Sequence, residues 1–253
     1  MSLQAIYNKQ FENIDKQIGL FNTELEVVTS RIKTLALSKL KGLNEADIIN
    51  YDVVWNEILQ QSGYFDLVNK YISKSFDSIY DDILKGFEVV GLDVVFTERD
   101  ITKINALKLI NKQFFEQIGQ DAGLEVKKSL YGYVIGGLSE DQIAINLANN
   151  LDEMGLSKYA NTYANTAITN FNQSVIDMKT TDQDAVWIYD GVDDAKTRDF
   201  CKCLLDSMNY YDTNTKIELQ NRPERAWNCR HQFYSVSKEW AEEQGYIEGY
   251  PSC

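Results

Sequence analysis

The chain has 253 residues, 44% hydrophobic and 25% charged, which is enough apolar material for a substantial core in one or two domains. Its formal net charge of −13 argues against a nucleic-acid coat, which needs clustered Lys and Arg, and tight duplex DNA binding is not expected. No apolar run reaches the roughly 18 residues of a membrane span, MSLQAIYNKQF lacks the features of a secretory signal, and four scattered cysteines are too few for a disulfide scaffold, so synthesis in a reducing cytoplasm is expected.

From Tyr7 to Leu35 apolar residues recur in steps of four and three: Tyr7, Phe11, Ile14, Ile18, Phe21, Leu25, Val28, Ile32 and Leu35. This is a heptad seam on a helix roughly 40–45 Å long. Its flanking positions carry mostly Gln, Asn and Thr, with only Asp15, Glu24 and Arg31 charged. Packing on helices of the same chain or of an assembly neighbour is favoured over a free-standing zipper.

Gly42 and LNEAD break and restart a helix, with Asn44 as its cap. Ile48, Val53, Val54, Trp55, Ile58 and Leu59 suggest a buried face, and a further helix is expected from about Tyr64 to Val90, ended by Gly91. LDVVF reads as a short strand or an extended linker. Helical period returns from Thr97 to Ile118, with Gly119 and Gly123 as punctuation. No proline precedes Pro223, in keeping with long helices, because an interior proline costs about 3 kcal/mol.

After Gly136-Gly137, Ser139 and Gln142 form a capping box for EDQIAINLANNLDEM. Gly155 leads to SKYANTYANTAITNFNQSVIDM, where Ala160, Ala164 and Ala167 let a neighbouring backbone come close. Beyond Lys179 the character changes. VWIY reads as a strand, and Gly191 turns toward a helix capped by Asp193 or Asp194 and running to about Asp206.

The parts GLSEDQIAINLANNL, YANTAITNFNQSVI, YDGVDDAKTRDFC, KIELQN and WNCRHQFYSVS together resemble the phage head morphogenesis family, minor head proteins related to the F protein of phage Mu. The resemblance covers roughly residues 135–236, and the pairing of TRDFC with NCRH is its most specific part. Two departures stand out. Asn165-Thr166-Ala167 occupies a place where many members carry Arg-Thr-Glu, and Cys229-Arg230-His231 one where many have Cys-Arg-Cys. The resemblance implies a low-copy virion protein, assembled in the host cytoplasm with portal, capsid and scaffold proteins, acting in procapsid assembly and in DNA packaging or ejection. It also singles out Asp194, Thr197, Arg198, Trp227 and Arg230 as motif residues, read here as structural.

The chemistry of the last segment rests on its cysteines and its single histidine. On one helix Cys201 and Cys203 lie about 200° apart and do not share a ligand. On an extended NCRH, Cys229 and His231 point the same way, so Cys201, Cys229 and His231 form the candidate cluster. Zinc, a Cys201–Cys229 disulfide or plain thiol packing would each serve as the tie. Cys253 reads as an exposed free thiol. No nucleotide loop, nucleophile motif or carboxylate pair marks an enzyme. The expected architecture is mainly α: a heptad helix over 1–42, a helical domain over 43–178, and a small α+β Cys/His-containing module over 179–253. Multiple copies joined through helices fit the phage reading. The alternatives are a zinc-binding intracellular interaction module and, after it, a small enzyme.

Overall fold

A computed structural model describes residues 3–40, 48–89, 92, 94–153, 156–180, 185–191, 193, 195, 197–224 and 231–251, leaving aside the side chains of 3–8, 11, 40, 140, 152–153 and 157. Among the described residues the long and medium helices come first: α1 (Leu3–Leu40), α2 (Tyr51–Ser62), α3 (Tyr64–Val89), α4 (Glu98–Ile135), α5 (Glu140–Glu153) and α6 (Leu156–Thr180). Then follow β1 (Ala185–Asp190), α7 (Asp199–Asp206), β2 (Asn209–Tyr211), α8 (Thr213–Gln220), β3 (Gln232–Ser237), α9 (Lys238–Glu243) and β4 (Ile247–Glu248). The protein is mainly helical, with a small mixed sheet near its C-terminus. Among the described residues no helix is long and apolar enough to cross a membrane.

The chain divides into two compact units. One comprises Met1–Lys16, Lys74–Lys108 and Asn165–Cys253; the other comprises Gln17–Ser73 and Leu109–Ala164. In the second unit the predicted seam is buried at Ile18, Phe21, Leu25, Val28 and Ile32. Phe21 packs against Tyr71 of α3 and Phe115 of α4, with ring centroids 4.4 and 5.3 Å away. The side chains of Tyr7 and Phe11 lie outside the described set, as do Asn44 and Gly91.

Helix α4 departs from the sequence expectation. It does not stop near Ile118 but runs through Gly119 and Gly123 to Ile135. These glycines are slots for aromatic rings rather than helix ends. A Cβ on Gly119 would lie 2.7 Å from the Tyr64 ring, and one on Gly123 would lie 2.1 Å from the Trp55 ring. Both aromatics also hydrogen-bond to α4: the Trp55 indole N–H donates to the Gly119 carbonyl (2.8 Å) and the Tyr64 hydroxyl donates to the Phe115 carbonyl (2.6 Å). Helix propensity loses about 1 kcal/mol at each glycine, and the close approach of two large side chains offsets it. The helix ends at Gly137, whose φ of +68° suits a residue without a Cβ.

Both helix starts on either side of this region are capped by local side chains. The Ser139 N–H donates to Gln142 Oε1 at 3.2 Å and the Gln142 N–H to Ser139 Oγ at 3.4 Å, the capping box read from sequence. A second box opens α4, where Asp100 Oδ2 accepts from the Thr97 N–H and hydroxyl at 2.8 and 2.7 Å. LDVVF is not a strand at the positions described.

In the first unit the sheet order is β3-β1-β2-β4. Central β1 runs antiparallel to β3, with Tyr189 opposite Phe233 and Asp190 opposite Gln232, and antiparallel to β2, with Trp187 opposite Tyr211. Strand β4 is parallel to β2 over two residue pairs. VWIY is thus a strand, as expected, and Trp187 is core at 1% exposure. The three-residue β2 escaped the sequence reading because NYY is too short for an alternation to register. Helix α7 is shorter than expected. It begins at Asp199, not near Asp193, and its N-cap position is Arg198, which makes no side-chain cap bond. Asp193 is exposed and precedes the helix, and Asp194 is outside the described residues.

Candidate functional site

The chemistry-bearing residues of the first unit gather around the end of β1. Strand β1 lies between β3 and β2, and Tyr189, paired with Phe233 of β3, is itself buried. Its hydroxyl lies 3.3 Å from Cys201 Sγ, reaching up to α7. The His231 ring stacks on the Tyr189 ring at 5.8 Å and 17°, and Phe233 packs against it at 4.8 Å. Gly191 completes the arrangement: a Cβ there would stand 2.4 Å from the His231 ring and 2.9 Å from its Cα. The glycine of YDG is therefore required by the histidine of NCRH. Its N–H donates to the Asp190 carboxylate at 2.7 Å.

Two members of the predicted cluster, Cys201 and His231, thus share Tyr189 as a neighbour, and both are almost wholly buried. Cys229, the third, lies outside the described residues, as do Trp227 and Arg230. Of the other motif residues, Thr197 is buried and Arg198 exposed. Cys201 is a free thiol in this structure, and Cys203 is disulfide-bonded. The helix-face argument explains why: Cys201 is turned into the sheet, and Cys203, two residues on, is turned away from it. Among the described residues no three His, Cys, Asp or Glu side chains gather as a metal ion would require.

A second constellation went unread in the sequence. Along one side of α6, buried Asn172 and Gln173 and half-buried Asp177 form a polar ridge. Gln10 of α1 donates to Asn172 Oδ1 at 2.7 Å, and Asn172 donates onward to Gln232 of β3. Gln173 accepts the Phe233 N–H (3.2 Å) and donates to Asp177 (2.7 Å). Asp177 in turn receives the ammonium of Lys216 on α8 at 2.6 Å, and that ammonium stands 4.4 Å from the Trp187 ring centroid. Lys216 is only 3% exposed. Asn172 and Gln173 each both give and accept, and the chain of bonds through them ties α1, α6, α8 and β3 together. The available signal was the spacing Asn-Gln-x3-Asp, set in a helix already rich in Asn and Thr. Its partners, 39 to 162 residues away, could not be read from it.

The third feature is an open cleft of about 570 Å³ beside α7, lined by Asp199, Lys202, Cys203, Asp206, Asn209 and the pair Tyr250 and Pro251, among others. Across the unit the electrostatics are those of packing. Burial, with the Asp190 carboxylate as a lesser cause, pushes Tyr246 up to about 12. The lowered carboxyl of Asp212 comes from capping α8, where it accepts the Thr215 N–H at 2.7 Å.

Compared with family models, curated proteins and solved structures, the chain matches none. The fold and these three features therefore carry the functional argument alone.

Proposed function

We propose that the protein is a minor head protein of a phage, acting in head morphogenesis with portal, capsid and scaffold proteins, and that its role is assembly rather than catalysis. One observation supports this reading. Three separated pieces of the motif, YDG, TRDFC and the histidine closing NCRH, bury side chains around Tyr189. A motif whose parts meet in the core is the signature of a fold, which is what kinship with a structural family requires. The interior supports the same side of the argument: the thiol of Cys201 and the ring of His231 are sealed from solvent, where no substrate reaches them.

The test is compositional and genetic. In the phage that carries the gene, mass spectrometry of purified heads should find the protein at low copy relative to the major capsid protein. Deleting the gene should leave heads that fail to mature or to infect. Absence from heads, together with normal particles from the deletion, would overturn the proposal.

A further inference from the structure

Helix α4 carries two seams. Its inner face gives Phe115, Val126 and Leu130 to the core of the second unit. Its outer face has a seam of its own. From Ile110 to Ile135 eight positions recur in strict steps of four and three, and every one of them is exposed. Five are large and apolar: Ile110, Phe114, Leu124, Tyr131 and Ile135. The remaining three, Gln117, Asp121 and Lys128, fall in the middle. The steps set all eight on one strip roughly 37 Å long, at about 1.5 Å per residue. An outward helix face is normally polar, yet Ile135 is 83% exposed and Phe114 54%. Scattered apolar side chains on a surface need no explanation; five on a single heptad strip do.

The order of residues along the strip says what covers it. Turned end for end about the midpoint between Asp121 and Leu124, the strip matches itself. Ile110 meets Ile135, Phe114 meets Tyr131, Gln117 meets Lys128 and Asp121 meets Leu124. These are the facing positions of two antiparallel helices, with an a-type residue opposite a d-type residue in every layer. Apolar falls on apolar at both ends. In the middle, Lys128 of one copy lies one layer from Asp121 of the other, so opposite charges are neighbours. A parallel pairing would instead set Asp121 on Asp121 and Lys128 on Lys128, which charge repulsion disfavours. Within one chain these central groups have only surface partners: Gln117 donates to Asp121 at 2.7 Å, and Lys128 pairs with Glu125 at 2.6 Å. An exposed ion pair is worth little, so Lys128 is free to turn toward a neighbour.

The geometry points to a second copy of this chain as the occupant. Helix α4 pairs antiparallel with α4 of another chain about a two-fold axis between Asp121 and Leu124, giving an isologous dimer. The seam of α1 does not do this work, because Ile18, Phe21, Leu25, Val28 and Ile32 are already buried within the unit. Dimerisation through α4 goes beyond the assembly role proposed above and does not depend on it.

The experiment uses the full chain. Sedimentation velocity at increasing concentration should show a reversible monomer–dimer equilibrium. Phe114→Glu and Ile135→Glu each place a carboxylate in an apolar layer and should weaken the dimer at least about tenfold, with the circular dichroism spectrum unchanged because both positions are exposed. Lys128→Glu should weaken it several-fold, and Asp121→Lys combined with Lys128→Glu should restore it. A wild-type chain that stays monomeric at about 100 μM, or variants at positions 114 and 135 that dimerise as wild type does, would overturn the proposal. Direction is read by photocrosslinking. Benzoylphenylalanine in place of Phe114, in a mixture of isotope-labelled and unlabelled chains, should couple to the segment around Tyr131 of the other copy. Coupling to the segment around position 114 would overturn the antiparallel pairing.

Discussion

Replacing Gly123 by Ala tests the reasoning about α4 at a single methyl group. An added Cβ stands 2.1 Å from Trp55 Cδ1 and 2.4 Å from both Cγ and Nε1. Carbon atoms pack at about 3.5–4.0 Å, so the indole must retreat by roughly 1.4 Å. It has nowhere to go without loss, because Trp55 is 1% exposed and its N–H is committed to the Gly119 carbonyl. Overpacking of this kind costs about 1–3 kcal/mol, and the lost hydrogen bond about 1 kcal/mol more. Against this, alanine recovers about 1 kcal/mol of helix propensity. The net expectation is a destabilisation of about 1–3 kcal/mol, which lowers the melting temperature by roughly 3–10 °C in a chain of this size. Gly132→Ala is the internal control. It lies on the same helix with no atom within 4 Å of the added Cβ, and should stabilise by about 0.5–1 kcal/mol. The assay is thermal and urea unfolding followed by circular dichroism, with tryptophan emission read in parallel. A Gly123→Ala protein as stable as the wild type would refute the argument that an aromatic slot, rather than helix punctuation, put glycine there.

Other outcomes follow from the same contacts. The Lys179 ammonium beside Asp100, with Thr97 donating from hydroxyl and backbone, holds the Asp100 carboxyl well below the usual range. Its folded pKa is depressed, so the stabilisation is present above the unfolded carboxylate value of about 4 and is lost as pH falls below it. Unfolding followed from pH 7 to pH 2 should therefore show a steeper acid loss for wild type than for Asp100→Asn, and parallel curves would count against the pair. Lys216→Met removes the ammonium from Asp177 and from the Trp187 ring while keeping an apolar stem, and should cost about 1.5–3 kcal/mol, the worth of a charged hydrogen bond. A urea midpoint unchanged from wild type would show the ridge to be dispensable. Zinc content should be well below one per chain by elemental analysis. The His231 ring is stacked on Tyr189, and among the described residues no three metal-binding side chains gather, short of the four ligands of a structural site. One tightly held zinc per chain would refute this.

What the sequence by itself determined were the features whose cause is local. The seam of α1 and the start of α3 at Tyr64 follow from periodicity, and the Ser139 box follows from two side chains three apart. Strand β1 and the buried small face of Ala160, Ala164 and Ala167 were legible for the same reason. So was the divergence of Cys201 from Cys203, since a helix turns about 100° per residue whatever surrounds it. Tertiary structure decided wherever a residue's role depends on something distant in sequence. Gly119 and Gly123 look like helix ends until Tyr64 and Trp55 arrive against them. Asp193 looks like a cap, yet α7 begins only at Asp199, with Arg198 at its N-cap position. Nothing in the first sixteen residues names a partner in sequence, and the structure groups them in one compact unit with the C-terminal segment, where Gln10 meets Asn172. Polar side chains such as Asn172, Gln173 and Lys216 carry no periodic signal of burial. What keeps them inside is a set of partners up to 162 residues away, and that satisfaction exists only once the chain has folded.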